Sequence, residues 1–194
     1  MIKIFIITER RADYSRFKPI LDLIVKDKDL DYSLAVTGAH IKPEMGNTID
    51  EIINDGFNID FKIKMFTEDI DTSGSMVRAF SRVVHDVTYC LEEVKPNLIL
   101  SGFDIGANLA VTIAGAHMNI PVAHIEAGIR SNDLTMPEEI NRILTDSISN
   151  YFFTTSVTAN KNLIQLGISK KNIYFVGNTM IDTLKENLNS LKKP

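Results

Sequence analysis

The chain has 194 residues, 44% hydrophobic and 24% charged, with only 10 glycines and 6 prolines. That mix excludes disordered, collagen-like and low-complexity proteins and predicts one domain, or one domain with an appendage. Its 25 acidic against 21 basic residues give a formal net charge of −4, the wrong balance for neutralising a nucleic-acid backbone, so no nucleic-acid partner is expected.

In chain order, Ile2–Ile7 is apolar apart from Lys3 and predicts a buried strand. The run is too short for a signal-peptide core, lacks a small-residue cleavage site and meets Glu9, Arg10 and Arg11. No stretch reaches the ~18 uncharged apolar residues of a membrane span, so no membrane partner and a cytoplasmic location are expected. Phe17, Ile20, Leu21 and Ile24 fall at helical spacing, which puts Pro19 in that helix's first turn. Ser33–Thr37 reads as a second strand ended by Gly38, Glu44–Asn54 as a helix, and Phe57–Met65 as a more exposed third strand. Met76–Val94 is the longest amphipathic pattern, with Met76, Phe80, Val83, Val84, Val87 and Leu91 on one face and Pro96 closing it. It holds Cys90, the single cysteine, which cannot form an intramolecular disulfide, favours a reducing compartment and excludes a multi-cysteine zinc site. Leu98–Leu100 is a strand opening into Gly102, Ile105–Met118 an alanine-rich helix, Pro121–Ile125 a strand, and Pro137–Ser149 a helix with Pro137 at its first position. Tyr151–Thr155, Thr158–Leu166, Ile173–Val176 and Thr179–Leu191 continue the alternation.

Apolar strands alternating with helices predict an α/β fold over residues 1–194: a doubly wound, mainly parallel, Rossmann-like sheet of six or seven strands covered on both faces. Ligands of such sheets bind beyond the carboxyl ends of the strands. The candidate functional loops are therefore Thr8–Ser15, Thr37–Lys42, Gly102–Gly106 and Glu126–Pro137, which is where charge, glycine and histidine concentrate.

The first loop holds Glu9, Arg10, Arg11, Asp13, Tyr14, Arg16 and Lys18 but no Gly-x-Gly-x-x-Gly, so a dinucleotide cradle is absent. Its basic cluster at a helix start suits an anionic ligand, and equally suits a solvated turn whose charges pair with Glu9 and Asp13. In Thr37-Gly38-Ala39-His40 the histidine reads more readily as a hydrogen-bonded loop residue than as a catalyst. No His-x-x-x-His or carboxylate–histidine cluster is present, so no metal site is expected. Asp104 follows a strand end, where capping the next helix is its commoner task. Glu138 and Glu139 suit a helix's first turn whatever the function. Glu126, directly at the exit of a buried strand, has no such structural reason. With Asp104 it would form a carboxylate group whose repulsion and burial raise proton affinity into a range useful for acid–base chemistry.

These blocks carry a resemblance. His124-Ile125-Glu126-Ala127-Gly128-Ile129-Arg130, Pro137-Glu138-Glu139-x-Asn141-Arg142 and Gly177-Asn178-Thr179-Met180-Ile181-Asp182, with Asp104 standing 22 residues before Glu126, resemble in order and spacing the N-terminal domain of UDP-N-acetylglucosamine 2-epimerases. The resemblance implies one half of a two-domain, GT-B-like enzyme that binds UDP-GlcNAc in the cleft between its domains. It also implies the reaction: a base removes the C2 proton as UDP leaves C1, giving a 2-acetamidoglucal, and UDP re-adds with a proton on the opposite face. Asp104, Glu126 and Glu138 match the family's acidic positions. Arg11 and Arg16 match its basic first loop, and His40 its Thr-Gly-x-His loop. Arg130, Asn141 and Arg142 fall in its matching blocks and are expected at the substrate. The resemblance calls for no cofactor, for a C-terminal nucleotide-binding domain absent from this chain (an excised piece or one half of a split enzyme, inactive alone), and for a homodimer.

Two features depart from the family's pattern. Glu9-Arg10 stands where the family has Gly-Thr, and bulk there narrows the ligand's approach. Arg11-Ala12-Asp13-Tyr14, Lys18-Pro19 and Ser73-Gly74-Ser75-Met76 are similar to the hydrolysing branch, which releases ManNAc and UDP. The alternatives to the epimerase reading are therefore a hydrolysing epimerase, the acceptor domain of a two-domain glycosyltransferase, or a non-catalytic Rossmann-like binding module.

Overall fold

The computed structural model describes residues 1–67 and 72–188. Seven strands form one sheet: β1 (Ile2–Thr8), β2 (Leu30–Thr37), β3 (Phe61–Ile63), β4 (Leu98–Gly102), β5 (Val122–Ile125), β6 (Tyr151–Thr154) and β7 (Ile173–Phe175). Their order is β3-β2-β1-β4-β5-β6-β7 and every pairing is parallel. Chain direction across the sheet thus reverses between β1 and β4, the crevice where ligands of such folds bind.

The helices are α1 (Arg11–Ile24), α2 (Ile49–Asn54), α3 (Ser73–Val94), α4 (Gly106–His117), α5 (Pro137–Ile148), α6 (Val157–Gln165) and α7 (Thr179–Asn187). Strand alternation sorts them onto two faces. Phe5 and Ile7 of β1, with Ile99 and Val122, pack against Val83, Val87 and Leu91 of α3 and Val111 and Ala114 of α4. Ile4 and Ile6, one position out of phase, pack with Leu34, Ala123 and Ile125 against Phe17, Leu21 and Ile24 of α1 and Ile52 of α2. Both faces of the central strands are covered, which is why β1, β4 and β5 read as apolar runs and not as alternating ones.

Several boundaries differ from the pattern read in the sequence. Helix α1 begins at Arg11, because the Asp13 carboxylate folds back to accept from the amides of Glu9 (2.9 Å) and Arg10 (2.8 Å) and closes the first turn early. Pro19 consequently sits inside the helix and not in its first turn. Lacking an amide, it leaves the Ser15 carbonyl without its helical donor, and the Thr183 hydroxyl of α7 donates to that carbonyl at 2.6 Å. The stretch read as one helix over Glu44–Asn54 is a single 3-10 turn (Pro43–Met45), a left-handed Gly46, and the short α2. Ser73-Gly74-Ser75-Met76 opens α3: the Thr72 hydroxyl accepts from the Ser75 amide (3.1 Å) while the Ser75 hydroxyl accepts from the Thr72 amide (2.8 Å). The C-terminal end of the Thr179–Leu191 helix lies outside the described residues.

Candidate active site

Strands β4 and β5 pair so that Gly102 faces Ile125, which brings the two following turns out of the sheet side by side. Phe103 and Glu126 both adopt left-handed backbone, φ 69° and 60°, turning their chains sharply at the strand ends. Asp104 and Glu126 therefore lie close enough to feel each other's charge, each held by its own arginine. Arg142 of α5 bonds Asp104 Oδ2 through Nη2 at 2.5 Å, and Asn141 Nδ2 donates to the Asp104 carbonyl at 2.8 Å. Arg16 of α1 bonds Glu126 Oε2 through Nη1 at 3.2 Å while its guanidinium lies 4.8 Å above the Phe103 ring. Four elements supply this cluster: α1, the β4–α4 turn, the β5 exit and α5.

Glu126 carries the electrostatics expected of a proton-transferring group. Burial pushes its carboxyl above the usual range, the negative Asp104 adds to that, and the Arg16 guanidinium offsets part of it. Its second oxygen, Oε1, is buried and has no hydrogen-bond partner among the described residues. Glu138, half-buried in the first turn of α5, likewise has no ion pair or hydrogen bond among the described residues. Its neighbour Glu139 is structural. It is 1% exposed, accepts from the amides of Ser131 (2.9 Å) and Asn132 (3.1 Å), and takes the other arm of Arg142 at 3.1 Å.

The first loop builds a second polar group beside the crevice. Glu9 leaves the carboxyl end of β1 and points inward, its Oε2 accepting from the Ala107 amide at the start of α4 at 3.0 Å. Room for it comes from Gly38, where a Cβ would lie 2.4 Å from Glu9 Cγ and where φ is +58°. Burial pushes the Glu9 carboxyl up. An internal carboxylate therefore occupies the anion seat at this helix N-terminus. Behind it, the Thr8 hydroxyl donates to Asp13 Oδ2 at 2.9 Å and lies 3.0 Å from His40 Nε2, whose Nδ1 is 2.7 Å from the Thr48 hydroxyl. His40 and Asp13 are thus buried supports of the loop. Arg11 does not reach the carboxylate cluster; its exposed side chain lies 3.7 Å from Glu51 of α2.

Comparison with known proteins agrees with this geometry. The family model described as UDP-N-acetylglucosamine 2-epimerase matches residues 23–194. The chain belongs to the UDP-N-acetylglucosamine 2-epimerase family. A relative named UDP-N-acetylglucosamine 2-epimerase from Methanococcus maripaludis is 33% identical over 196 residues, covering 100% of this chain and 50% of the relative. The UDP-N,N'-diacetylbacillosamine 2-epimerase (hydrolyzing) of Legionella pneumophila is 32% identical over 184 residues, covering 95% and 48%. The solved structure of the Methanocaldococcus jannaschii UDP-GlcNAc 2-epimerase in complex with UDP-GlcNAc and UDP is 31% identical and superposes with a TM-score of 0.86, covering 97% of this chain and 50% of that one. The chain spans about half the length of the curated relatives it matches.

Within this epimerase-family fold, Arg130 is held away from the Asp104–Glu126 cluster. Its Nη2 lies 2.6 Å from Asp146 Oδ2, and Asp146, fully buried on α5, also takes His124 Nδ1 (2.7 Å) and the Gly128 amide (3.1 Å). Asp146, His124, Glu139, Asp13 and the inward Glu9 were not singled out as a buried polar frame by sequence reasoning. A usable signal existed for Asp146, an acid in the last turn of a helix, where the macrodipole disfavours negative charge and a buried cationic partner is required. Asp13 at the third helical position was legible as a capping residue had the helix start been read at Arg11.

Proposed function

We propose that this chain is the sugar-side half of a two-domain, GT-B-like UDP-N-acetylglucosamine 2-epimerase, interconverting UDP-GlcNAc and UDP-ManNAc. The second half of the relatives' length would supply the nucleotide-binding domain, and this chain alone would turn over little or nothing. In the forward direction a carboxylate takes the C2 proton, the C1–O bond breaks with its electron pair leaving on UDP, and C1=C2 forms. UDP then re-adds at C1 while a carboxylic acid returns a proton to the opposite face of C2. Protons and electron pairs balance with carboxyl groups and UDP alone, so the reaction calls for no cofactor.

The observation that carries this reading is the convergence of Asp104 and Glu126 from adjacent strand ends onto Arg16 and Arg142. Two carboxyl groups with different surroundings split the acid and base work. We assign the protonated role to Glu126, whose burial and Asp104 neighbour favour the neutral form, and the base role to Asp104. Glu138, unpaired at the mouth of α5, is the third proton-exchanging group. Arg16, Arg142 and Asn141 orient the two carboxylates and the sugar. Arg11, exposed at the loop rim, is left to meet the diphosphate, and His40 acts on substrate through the loop it supports. Arg130 we assign to the loop and not to substrate.

A cytoplasmic enzyme is the accompanying reading; no helix among the described residues is long and apolar enough to cross a membrane. A homodimer is proposed from the exposed apolar row Met136, Ile140, Leu144 and Ile148 along α5. A hydrolysing variant, in which water adds at C1 and ManNAc and UDP are released, is favoured by the hydrolysing Legionella pneumophila relative and by Arg11-Ala12-Asp13-Tyr14. Product analysis separates the two. The chain reconstituted with its downstream half and fed UDP-GlcNAc should give UDP-ManNAc by proton NMR. Free ManNAc with stoichiometric UDP assigns the hydrolysing reaction, and unchanged UDP-GlcNAc contradicts both.

A further inference from the structure

Beneath the turn that carries Glu126 lies an ionisable pair that the chemistry above does not use. Asp146 gathers three partners that bracket Glu126 in the chain: it is hydrogen-bonded to His124 Nδ1 (2.7 Å) from β5 and to the Gly128 amide (3.1 Å), and ion-paired with Arg130 Nη2 (2.6 Å). Glu126 between them has φ 60° and Gly128 has φ 78°. A Cβ on Gly128 would lie 2.4 Å from the Ala159 carbonyl oxygen, so the turn packs directly on α6 and has no room for a side chain there. Because Nδ1 of His124 is committed to Asp146, its Nε2 is the free ring nitrogen, and it is buried without a partner among the described residues. Glu126 Oε1, two residues on, is in the same condition. Two buried polar atoms left without partners so close in the chain are costly, and such a cost calls for an explanation beyond the shape of the turn.

Building on the epimerase reading, we propose that the Asp146–His124 pair is the positioning element for Glu126, fixing the left-handed turn that carries the carboxylate and holding a chargeable imidazole beside it. The groups around Glu126 are Arg16 from α1, Asp104 from the β4–α4 turn, Arg142 from α5 and His124 from β5. Around His124, α5 contributes Asp146, while the flanking strands place neutral Ser101 of β4 and Phe152 of β6 in register with it. His124 is thus the imidazole linking Asp146 to the Glu126 turn, with Arg130 the further charged group on Asp146. A cationic His124 favours ionised Glu126, so its charge would offset burial as Glu126 gives up its proton.

The variant His124→Asn separates this role from a structural one. Its amide nitrogen can still donate to Asp146 from the Nδ1 position, but it has no Nε2 and cannot titrate. Carboxyl carbon NMR of Glu126 in the isolated chain should show the titration midpoint rising by about one pH unit in the variant. The corresponding limb of the C2-exchange pH profile in the reconstituted enzyme should move the same way. An unmoved midpoint in a folded variant overturns the proposal. If His124→Asn does not fold, the wild-type chain decides: the Glu126 signal should carry a second inflection at the pH where the His124 ring titrates, and a single independent inflection overturns the coupling. Asp146→Asn, which loosens the turn, should lower exchange about 10²-fold, whereas wild-type exchange would overturn the positioning role. A shifted midpoint in an enzyme that exchanges nothing at C2 supports the pair and sinks the epimerase reading instead.

Discussion

Asp13 and His40 share one hydroxyl, that of Thr8, and burial shifts their titrations in opposite directions, past one another. Burial raises the Asp13 carboxyl to about 6 against three opposing donors, and lowers the His40 imidazole to about 4. The hydrogen bonds are consistent with neutral His40: Thr8 donates to Asp13 and accepts from Nε2–H, leaving Nδ1 to accept from Thr48. For His40 the folded state binds fewer protons than the unfolded one between about pH 4 and 6.5, so its contribution to stability grows as pH rises through that window. For Asp13 the folded state binds more protons between pH 3.8 and about 6, so its contribution falls as pH rises. Urea titrations should show the stability of wild type minus His40→Gln increasing by roughly 3 kcal/mol across the first window. The stability of wild type minus Asp13→Asn should decrease by a similar amount across the second. Parallel slopes for the two variants would contradict the buried network. At this scale Glu126 was legible, because a charge at the exit of a buried strand has little structural excuse, and Asp104, which spacing alone reads as a helix cap, was legible as its neighbour across adjacent strand ends. Glu9 and Asp146 were not, because their partners Ala107 and His124 are set by tertiary packing and not by spacing, whereas Asp13, whose partners Thr8, Glu9 and Arg10 are all local, is hidden only by a helix start placed too late.

Helix α1 shows where element boundaries escape a hydrophobic pattern. Its apolar repeat begins at Phe17, but the polar turn from Arg11 to Arg16 is helical as well, stabilised by the Asp13 cap and by ion pairs to other elements. That extra turn puts Arg16 on rigid helix, where it can hold Glu126, and puts Pro19 in the interior. The Ser15 carbonyl freed by Pro19 ties α1 to α7 through Thr183, which shares its hydroxyl with the Thr179 carbonyl at 3.2 Å. Thr183→Val should cost about 1 kcal/mol in urea unfolding. In a Pro19→Ala background, where residue 19 regains an amide, the same change should cost at least about 0.5 kcal/mol less. Equal costs in both backgrounds would show that the hydroxyl does not compensate for the proline. The departure at Glu9-Arg10 also resolves at this scale. Glu9 turns inward onto α4 instead of blocking the cleft, in the space left by Gly38.

For the whole molecule, the alternation of apolar runs was enough to foresee a parallel sheet wound on both faces, and seven parallel strands in the order β3-β2-β1-β4-β5-β6-β7 are found. The rule that ligands sit beyond the carboxyl ends then selected the four loops that build the cluster and its supports. What composition and spacing could not supply was which of the charged loop residues meet. Arg11 and Arg130 are drawn to Glu51 and Asp146, whereas Arg16 and Arg142 reach the paired acids. The relatives are about twice as long, which is why the proposed catalysis is assigned to this half working with another. The most direct measurement is hydrogen exchange at the sugar. With the reconstituted enzyme and UDP-GlcNAc in deuterated water, deuterium should appear at C2, and Glu126→Gln should abolish it while leaving the fold intact. C2 exchange at the wild-type rate in folded Glu126→Gln would contradict the account.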